Sequence, residues 1–299
     1  MSFCRWMTFA LLSVCTSACL DAERPCRYVV EQSEVDGDGD GLVDRLFTVN
    51  YDEGGLTGLA ETYEGEDLEL LMSRVHLTLN NARLPITEEI DQPADGSIDR
   101  RISYAYGEHD LWTERREDTD ADGEDDSSIT RTFNEDGNDL VWEGDVDNDG
   151  TVDTRITYTY DAEGRPVRRE GYDAVAGAIV SIHTTNYDTP GVAFVERDEG
   201  ADGTIDYRGW RYLDSEGHTL VDETDNDADG DLDYRYTYTY DADWNIIVNL
   251  TDGIYEGEVT LSIRTTYTYD SHGNRLVREV DQGDDGVINS RVVTSWQCL

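Results

Sequence analysis

Residues 151–170 read TVDTRITYTYDAEGRPVRRE and contain one complete unit of a repeat. In residues 151–160, β-branched and aromatic residues alternate with polar ones, which predicts a β-strand. The segment from Asp161 to Gly164 predicts a turn, because the Asp side chain caps its own backbone and Gly accepts a positive φ. Pro166 then stands at the start of a second strand, where a missing N–H is tolerated. The unit is therefore a β-hairpin.

The hairpin recurs along the chain, and a glycine marks each loop that joins one hairpin to the next. Neighbouring loop glycines are 24 to 31 residues apart, most often 27. A period of this length is typical of stacked or radial repeats. We expect an all-β fold of about ten tandem antiparallel hairpins in a curled meander, forming one domain over residues 27–299. The loop glycines are Gly41, Gly65, Gly96, Gly123, Gly150, Gly177, Gly203, Gly230, Gly257 and Gly286.

The two faces of each hairpin differ in chemistry. Ile156, Tyr158 and Tyr160 share one side of their strand, and Thr157 and Thr159 share the other. We expect the tyrosine side to be buried, with hydroxyls bonded to neighbouring backbone or water; an exposed aromatic platform for sugars is the alternative. An arginine recurs five residues after the loop glycine on the other face, and we expect it to pair with loop or cross-strand acids. These arginines are Arg101, Arg155, Arg208, Arg235 and Arg291.

Four loops carry carboxylates at alternate positions before the glycine and one more three residues after it. Alternating carboxylates around a sharp glycine turn suit a hard cation that takes six or more oxygen ligands. An Asp-Gly turn without a cation explains one Asp and one Gly, but not three acids in alternation. We therefore predict four structural calcium sites. Their ligands are Asp36, Asp38, Asp40, Asp44; Asp118, Asp120, Asp122, Asp126; Asp145, Asp147, Asp149, Asp153; and Asp225, Asp227, Asp229, Asp233.

Three further loops lack the second acid of this pattern. Pro93, Gly200 and Gly283 stand in its place, two residues after the first Asp of each loop. The sequence does not decide whether the remaining acids of these loops, near Gly96, Gly203 and Gly286, bind calcium.

The overall charge limits the range of partners. Against 67 Asp and Glu the chain has 23 Lys and Arg, giving a formal net charge of −44. Nucleic acid and anionic lipid would be repelled electrostatically.

The N-terminus has the pattern of a secretory signal: Arg5, then an apolar stretch over residues 7–14, then small residues before Cys19. Small residues directly before a cysteine resemble the lipobox of bacterial lipoproteins, although Thr16 replaces the usual Leu. The resemblance implies removal of residues 1–18, lipidation of Cys19 and a short tether over residues 19–26. Leu20 after the cysteine implies the outer membrane or cell surface. Plain secretion is the alternative.

If Cys19 is lipidated, Cys26 and Cys298 remain in the mature chain, and in an oxidising compartment we expect them to form a disulfide. Residues 27–32 read as a second strand without a first, and residues 288–297 as a first strand without a second. Pairing them, with the disulfide replacing the turn, would close the array and remove two exposed edges. A closed meander or a five-bladed propeller is therefore favoured over an open spiral.

The YTYDAEGR segment from Tyr158 and the YTYDSHGNRL segment from Tyr267 resemble the YD repeat of RHS proteins. The resemblance implies a spiralling β-sheet, but family members often enclose a cargo, and this chain has no room for a toxin domain. The acidic loops resemble the calcium loops of thrombospondin type 3 and integrin-type FG-GAP repeats.

The motifs of common catalytic sites are missing from the sequence, so no catalytic residue is predicted. The expected function is that of a non-enzymatic, calcium-stabilised structural or adhesion module, tethered to the membrane by its lipid alone. The alternative is a module that binds a glycan or a protein through an aromatic face. A binder should gather its tryptophans on one rim, whereas a scaffold should bury or scatter them. The residues concerned are Trp112, Trp142, Trp210 and Trp244.

Overall fold

The computed structural model describes residues 28–65 and 68–298, which form one antiparallel sheet of twenty strands. The one helical element in these residues is a 3₁₀ turn, Glu108–Asp110. The expectation of about ten hairpins in an all-β fold is confirmed. In chain order the strands are β1 Tyr28–Asp36, β2 Arg45–Tyr51, β3 Thr57–Glu64, β4 Leu70–Leu79, β5 Pro85–Asp91, β6 Arg100–Tyr106, β7 Trp112–Asp118, β8 Ser127–Phe133, β9 Asp139–Asp145, β10 Thr154–Tyr160, β11 Pro166–Asp173, β12 Ala178–Asn186, β13 Val192–Glu199, β14 Tyr207–Leu213, β15 Thr219–Asp225, β16 Tyr234–Tyr240, β17 Ile246–Tyr255, β18 Glu258–Tyr269, β19 Arg275–Gln282 and β20 Ser290–Cys298.

The sheet closes on itself. β1 pairs with β2 on one side and with β20 on the other, in a register that runs from Tyr28 opposite Cys298 to Asp36 opposite Arg291. The closed meander is confirmed: the two terminal strands form a hairpin divided between the chain ends. The propeller alternative is wrong, because each strand pairs with its neighbours in one continuous barrel. Cys26 lies outside the described residues, so the disulfide stays a prediction.

Because neighbouring strands are antiparallel, the connections fall on two opposite rims. Loops from an odd-numbered strand to the next strand lie on one rim, here called the acidic rim; it carries the seven acidic loops and three short turns. Loops from an even-numbered strand lie on the other, the turn rim. All the predicted calcium ligands therefore belong to one end of the barrel.

The turn rim is built as the sequence predicts. The carboxylate of Asp161 accepts hydrogen bonds from the amides of Glu163 and Arg165, and Gly164 has a φ of 78°. Asp214, Asp241 and Asp270 accept the equivalent amide bonds in their own turns. The bonds are given by the residues two and four positions after each Asp.

Tyrosines at the ends of even-numbered strands join successive hairpins. The hydroxyl of Tyr160 donates to the carbonyl of Asp139, 2.7 Å away at the start of β9. The prediction that tyrosine hydroxyls reach neighbouring backbone is confirmed for this residue and four others. The equivalent donors are Tyr106, Tyr187, Tyr240 and Tyr269, and in β20 the indole Nε1 of Trp296 takes the same role.

The fully buried apolar core is smaller than the tyrosine pattern predicts. It is concentrated in β2 to β4, with Phe47, Tyr51 and Ile90 packed against it. The tyrosines of β10 and β16 are only half-buried, although the opposite face of each strand is more exposed, as expected. The described residues form a single sheet, and no second layer of secondary structure packs on the tyrosine face. The buried cluster is Val49, Ala60, Val75, Leu77 and Leu79.

The recurring arginines pair with glutamates twelve positions before them. Arg155 meets Glu143 and Arg235 meets Glu223 across neighbouring strands. Arg101, Arg208 and Arg291 pair in the same way with Glu89, Glu196 and Glu279. The prediction of cross-strand acid partners is confirmed. Exposed pairs of this kind contribute little individually, about 0 to 1 kcal/mol each.

None of the helical segments among the described residues has the length and hydrophobicity to cross a membrane.

Candidate metal centres on the acidic rim

The seven acidic loops share one pattern of hydrogen bonds, which the loop after β15 illustrates. Asp225 accepts the amides of Asp229, at 3.1 Å, and Gly230, at 3.0 Å. Asp233 accepts the amide of Asn226 at 2.6 Å, so the last acid folds back onto the second residue of the loop. The first Asp of each other loop bonds the loop glycine in the same way. The loop conformation is therefore encoded by its own side chains.

Glycine is required by the backbone of these loops. Gly230 has a φ of 104°, and an added Cβ would meet no atom within 4 Å, so the constraint is conformational and not steric. The residue two positions earlier, Ala228, is also left-handed, with a φ of 55°. Together the two left-handed residues wrap the chain around the first Asp.

The wrapped conformation gathers three carboxylates in each of the four complete loops. One ligand oxygen from each of three residues lies within 4.8 Å of the others. At this separation each pair of charges repels by about 1 to 3 kcal/mol in a surface-like dielectric, a cost that a divalent cation removes. The four groups, here called the carboxylate triads, are Asp36, Asp38, Asp40; Asp118, Asp120, Asp122; Asp145, Asp147, Asp153; and Asp225, Asp227, Asp229.

Each triad contains three of the four acids predicted for its loop. The fourth acid is Asp44, Asp126, Asp149 or Asp233, and in each case its carboxylate accepts a backbone amide of its own loop. These four residues therefore hold the loop in shape around the triad. The hydroxyl of Thr119, together with its backbone amide, lowers the pKa of Asp126 below its usual range.

In three of the four triads the first acid is the most buried, and in the triad of Asp145 it is as buried as Asp153. Asp225 is fully buried, and Asp118 nearly so. An arginine directly opposite, on the partner strand of the same hairpin, approaches each of them. Arg208 Nη1 lies 4.0 Å from an oxygen of Asp225, and Arg101 Nη1 lies 3.4 Å from one of Asp118. These guanidinium groups offset part of the buried charge. The second and third acids of both triads are exposed, so a cation can reach them from solvent.

In two of the three loops that lack the second acid, the structure gives a reason for its absence. Gly200 donates its amide to the carbonyl of Val180, and Gly283 donates to that of Ser262, both at 2.6 Å. The φ angles of these glycines are 101° and 105°, which an Asp would adopt only under strain. The backbone at this position bonds to the partner strand of its own hairpin instead of presenting a carboxylate.

The order of the connections around the rim was not predicted. A short turn is always followed by an incomplete loop: the turns near Gly65, Gly177 and Gly257 precede the loops near Gly96, Gly203 and Gly286. The signal was present in the sequence as a longer period, since Gly150 and Gly230 are 80 residues apart, as are Gly177 and Gly257. Three hairpins thus form a larger repeat, in which a complete loop, a short turn and an incomplete loop follow one another. The complete loop at residues 118–126 is an additional unit outside this order.

The tryptophans do not gather on one rim. The rings of Trp112 and Trp142 contact each other edge to face, with centroids 5.5 Å apart, and the guanidinium of Arg131 lies 4.3 Å from each centroid. Trp210 packs against Phe194, in another part of the sheet. Trp244 is on the turn rim, 43% exposed, and its ring stacks at 3.8 Å on that of His218.

The chain matches no family model. It also matches no curated protein sequence. In structure it is similar to a porin-like protein from Bacteroides uniformis, at 12% identity and a TM-score of 0.36, over 90% of this chain and 96% of that one. It is also similar to the TcdB2-TccC3 complex, at 12% identity and a TM-score of 0.41, over 88% of this chain and 17% of that one. A third similar structure is the Tc holotoxin pore of Photorhabdus luminescens, at 11% identity and a TM-score of 0.37, over 86% of this chain and 16% of that one.

Proposed function

We propose that the protein is a non-enzymatic structural or adhesion module of the cell surface, stabilised by calcium and anchored by lipid. The observation that carries the proposal is the convergence of three carboxylates at four places around one rim of the barrel. Each triad belongs to a loop whose shape is fixed by its own hydrogen bonds, so the ligand oxygens are close together before any ion arrives.

Calcium fits this donor set better than a softer metal. The triads supply carboxylate oxygens, and Ca²⁺ takes six to eight oxygen ligands in flexible geometry, including backbone carbonyls and water. Each loop joins two paired strands, so a bound ion would fix the connection between successive hairpins. Four ions would add eight positive charges and bring the formal net charge from −44 to −36, which reduces the repulsion within the barrel.

The lipid anchor would hold a defined end of the barrel toward the membrane. β1 begins at Tyr28 on the turn rim, and residues 19–26 span at most about 30 Å when fully extended. With Cys19 lipidated, the acidic rim would face away from the membrane. We place the protein at the outer membrane or cell surface, or outside the cell if Cys19 is not lipidated.

The proposal is tested by thermal unfolding of the purified chain in chelator and across a calcium titration to about 10 mM, a range that covers the affinities of extracellular calcium modules. We expect the midpoint to rise with calcium and not with sodium chloride of equal ionic strength. The double variant Asp147→Asn, Asp227→Asn removes one exposed ligand from each of two triads and should lose part of this rise. Asp231→Asn is the matched control, because it removes a charge from the loop of Asp227 but not from its triad. An unchanged wild-type midpoint would remove calcium from the proposal.

A second candidate function is glycan binding at the turn rim, which the Trp244 and His218 stack favours. Trp244 holds a left-handed φ of 63° at a turn position that is a glycine in the equivalent turn at Gly164, and it leaves its ring partly exposed. An exposed indole is a suitable platform for a sugar ring. If this candidate is correct, a Trp244→Gly variant would lose binding on a glycan array and keep its fold.

A further inference from the structure

The acidic rim also carries most of the exposed apolar surface of the barrel. Among the described residues, fifteen large hydrophobic side chains are exposed, and eleven of them belong to this rim. The four on the turn rim are Leu56, Tyr212, Leu220 and Trp244. The eleven on the acidic rim are Leu42, Leu70, Val146, Tyr172, Val175, Ile179, Val180, Tyr255, Val259, Leu261 and Val287.

Seven of the eleven form two patches, here called the apolar tips, around the short turns at residues 172–180 and 255–261. Val175 is 94% exposed, Tyr255 67% and Val259 58%. Isolated exposed apolar residues are ordinary, but the same patch at the same place in two copies of the larger repeat is not explained by folding.

Both tips are fixed in place between two acidic loops. On one side the amide of Ala174 donates to the carbonyl of Asp153, and that of Ile254 donates to the carbonyl of Asp233, each at 2.7 Å. On the other side Gly200 donates to Val180 of the first tip, and Gly283 donates to Ser262, the residue that follows the second tip. Each tip therefore lies between a loop with a carboxylate triad and a loop without one, and the order of apolar and acidic surface is set by backbone hydrogen bonds.

Carboxylates dominate the charge around the tips, although the strand residues Arg208 and Arg264 reach into the neighbouring acidic loops. The ten connections of the acidic rim contain no Arg or Lys, and the chain has no lysine at all. A second copy of the chain would bring the same charge and be repelled, as would anionic lipid. A positively charged partner would be attracted, and its apolar side chains would find matching surface between the acids.

We propose that the acidic rim is the docking surface for a basic, amphipathic segment of another protein. Its lysine and arginine side chains would pair with the exposed loop acids, and its apolar side chains would pack on the tips at residues 172–180 and 255–261. The inference deepens the proposed adhesion function, because it assigns the contact to the rim opposite the start of β1 and gives the chemistry of the partner.

The test uses two synthetic peptides of equal length and charge, one of lysine and leucine and one of lysine and serine, with binding followed by fluorescence anisotropy. We expect the triple variant Val175→Ser, Tyr255→Ser, Val259→Ser to bind the lysine–leucine peptide about tenfold more weakly, the effect of losing about 1.4 kcal/mol of apolar contact. Its affinity for the lysine–serine peptide should be unchanged. The control variant Leu56→Ser, Leu220→Ser on the turn rim should bind both peptides as the wild type does. Equal affinity of the triple variant and the wild type for the lysine–leucine peptide would overturn the proposal.

Two further measurements locate the contact. Carbodiimide coupling joins the lysines of the peptide to carboxylates of the chain, and because the chain has no lysine it reports almost only the contact with the peptide. Coupling should concentrate on exposed acids outside the triads, such as Asp231 and Glu256. Equal coupling at both rims contradicts the docking surface. The second measurement is binding to phosphatidylcholine vesicles. If the triple variant lost vesicle binding but kept peptide binding, the tips would be a lipid-binding surface and the proposal would be overturned.

Failure of this inference can be told from failure of the calcium proposal. The triple variant leaves all four triads intact, so its unfolding midpoint should respond to calcium as the wild type does. A calcium response without tip-dependent peptide binding refutes only the docking surface. Tip-dependent binding without a calcium response refutes only the calcium sites.

Discussion

The hydroxyl of Tyr240 donates a hydrogen bond to the carbonyl oxygen of Thr219, 2.6 Å away and 21 residues earlier in the chain. Tyr240 ends β16 and Thr219 begins β15, so the bond joins two successive hairpins at the turn rim. The same bond recurs around the barrel, and the residue after the tyrosine is usually the Asp that caps the turn. The tyrosine and the aspartate of each unit thus have separate roles: one connects hairpins and the other shapes the turn.

Replacing Tyr240 with Phe should lower the free energy of unfolding by about 1 kcal/mol, because the ring stays and one hydrogen bond is lost. Chemical denaturation measures the effect. Tyr255→Phe is the control, since Tyr255 is 67% exposed and lies on the acidic rim, and it should change nothing measurable. Equal effects of the two substitutions would mean that the bond from Tyr240 contributes no stability of its own.

Much of this fold was predictable because its signals are local in sequence. The alternation of apolar and polar residues predicts the strands, and the Asp-x-x-Gly pattern predicts the turns. Closure also followed from the unpaired strand halves at the two ends. Gly200 was not predictable in the same way, because its role depends on a contact of its amide with Val180, on another strand. The order of the rim connections was present in the sequence as an 80-residue period that alternation and turn signals do not reveal. The small size of the apolar core was missed because, like the role of Gly200, it depends on contacts between distant residues.

The two acids of one triad should differ sharply in what they contribute without calcium. Asp225→Ala removes a fully buried carboxylate that accepts the amides of Asp229 and Gly230, and should cost about 2 to 4 kcal/mol of unfolding free energy in chelator. Asp227 is exposed and accepts one long bond from the Asp229 amide at 3.3 Å, so Asp227→Ala should cost less than about 0.5 kcal/mol.

With calcium the small cost of Asp227→Ala should increase. Asp227→Ala then loses a ligand, and its unfolding midpoint should fall below that of the wild type by the amount that the lost binding contributed. Denaturation curves of both variants, with and without calcium, give the comparison. If Asp227→Ala destabilised the chain equally in chelator and in calcium, Asp227 would not be a ligand.

The ion pair between Arg131 and Asp139 is the most buried pair of the described residues, with side chains 5% and 7% exposed. The guanidinium of Arg131 contacts the rings of both Trp112 and Trp142, and Asp139 accepts a hydrogen bond from its Nη2 at 2.6 Å. Asp139→Ala should cost about 3 to 5 kcal/mol, because it leaves a buried guanidinium without its main counter-ion.

The double variant Arg131→Met, Asp139→Leu provides the matched comparison. Replacing both members of a buried pair with apolar groups is often close to neutral, so this variant should be more stable than Asp139→Ala alone. Differential scanning calorimetry distinguishes the two. A double variant less stable than the single one would show that Arg131 stabilises the cluster mainly through the tryptophan rings.

The stability of the barrel in chelator should pass through a maximum at moderately acidic pH. Backbone hydrogen bonds from Ser97 and Thr204 lower the pKa values of Asp95 and Asp202, and Thr119 lowers that of Asp126. A carboxyl whose pKa is lowered by folding stabilises the fold above its unfolded value, 3.8, and loses that contribution as the pH falls through its folded value. Burial raises the pKa of Glu88 above 4.5, so its contribution has the opposite sign and is lost as the pH rises.

Unfolding midpoints measured from pH 2.5 to pH 8 in chelator should therefore rise from neutral pH toward about pH 5 and fall steeply below about pH 4. Glu88→Gln should remove part of the rise, because a neutral side chain occupies the buried position at every pH. Asp126→Asn should reduce the fall, since one of the titrating loop acids is gone. Added calcium should raise the midpoint at pH 7. Below about pH 4 it should have no effect, because protons displace calcium from the carboxylates. A Glu88→Gln variant whose profile matched the wild type throughout would show that relief of general charge repulsion, and not this buried carboxyl, causes the rise.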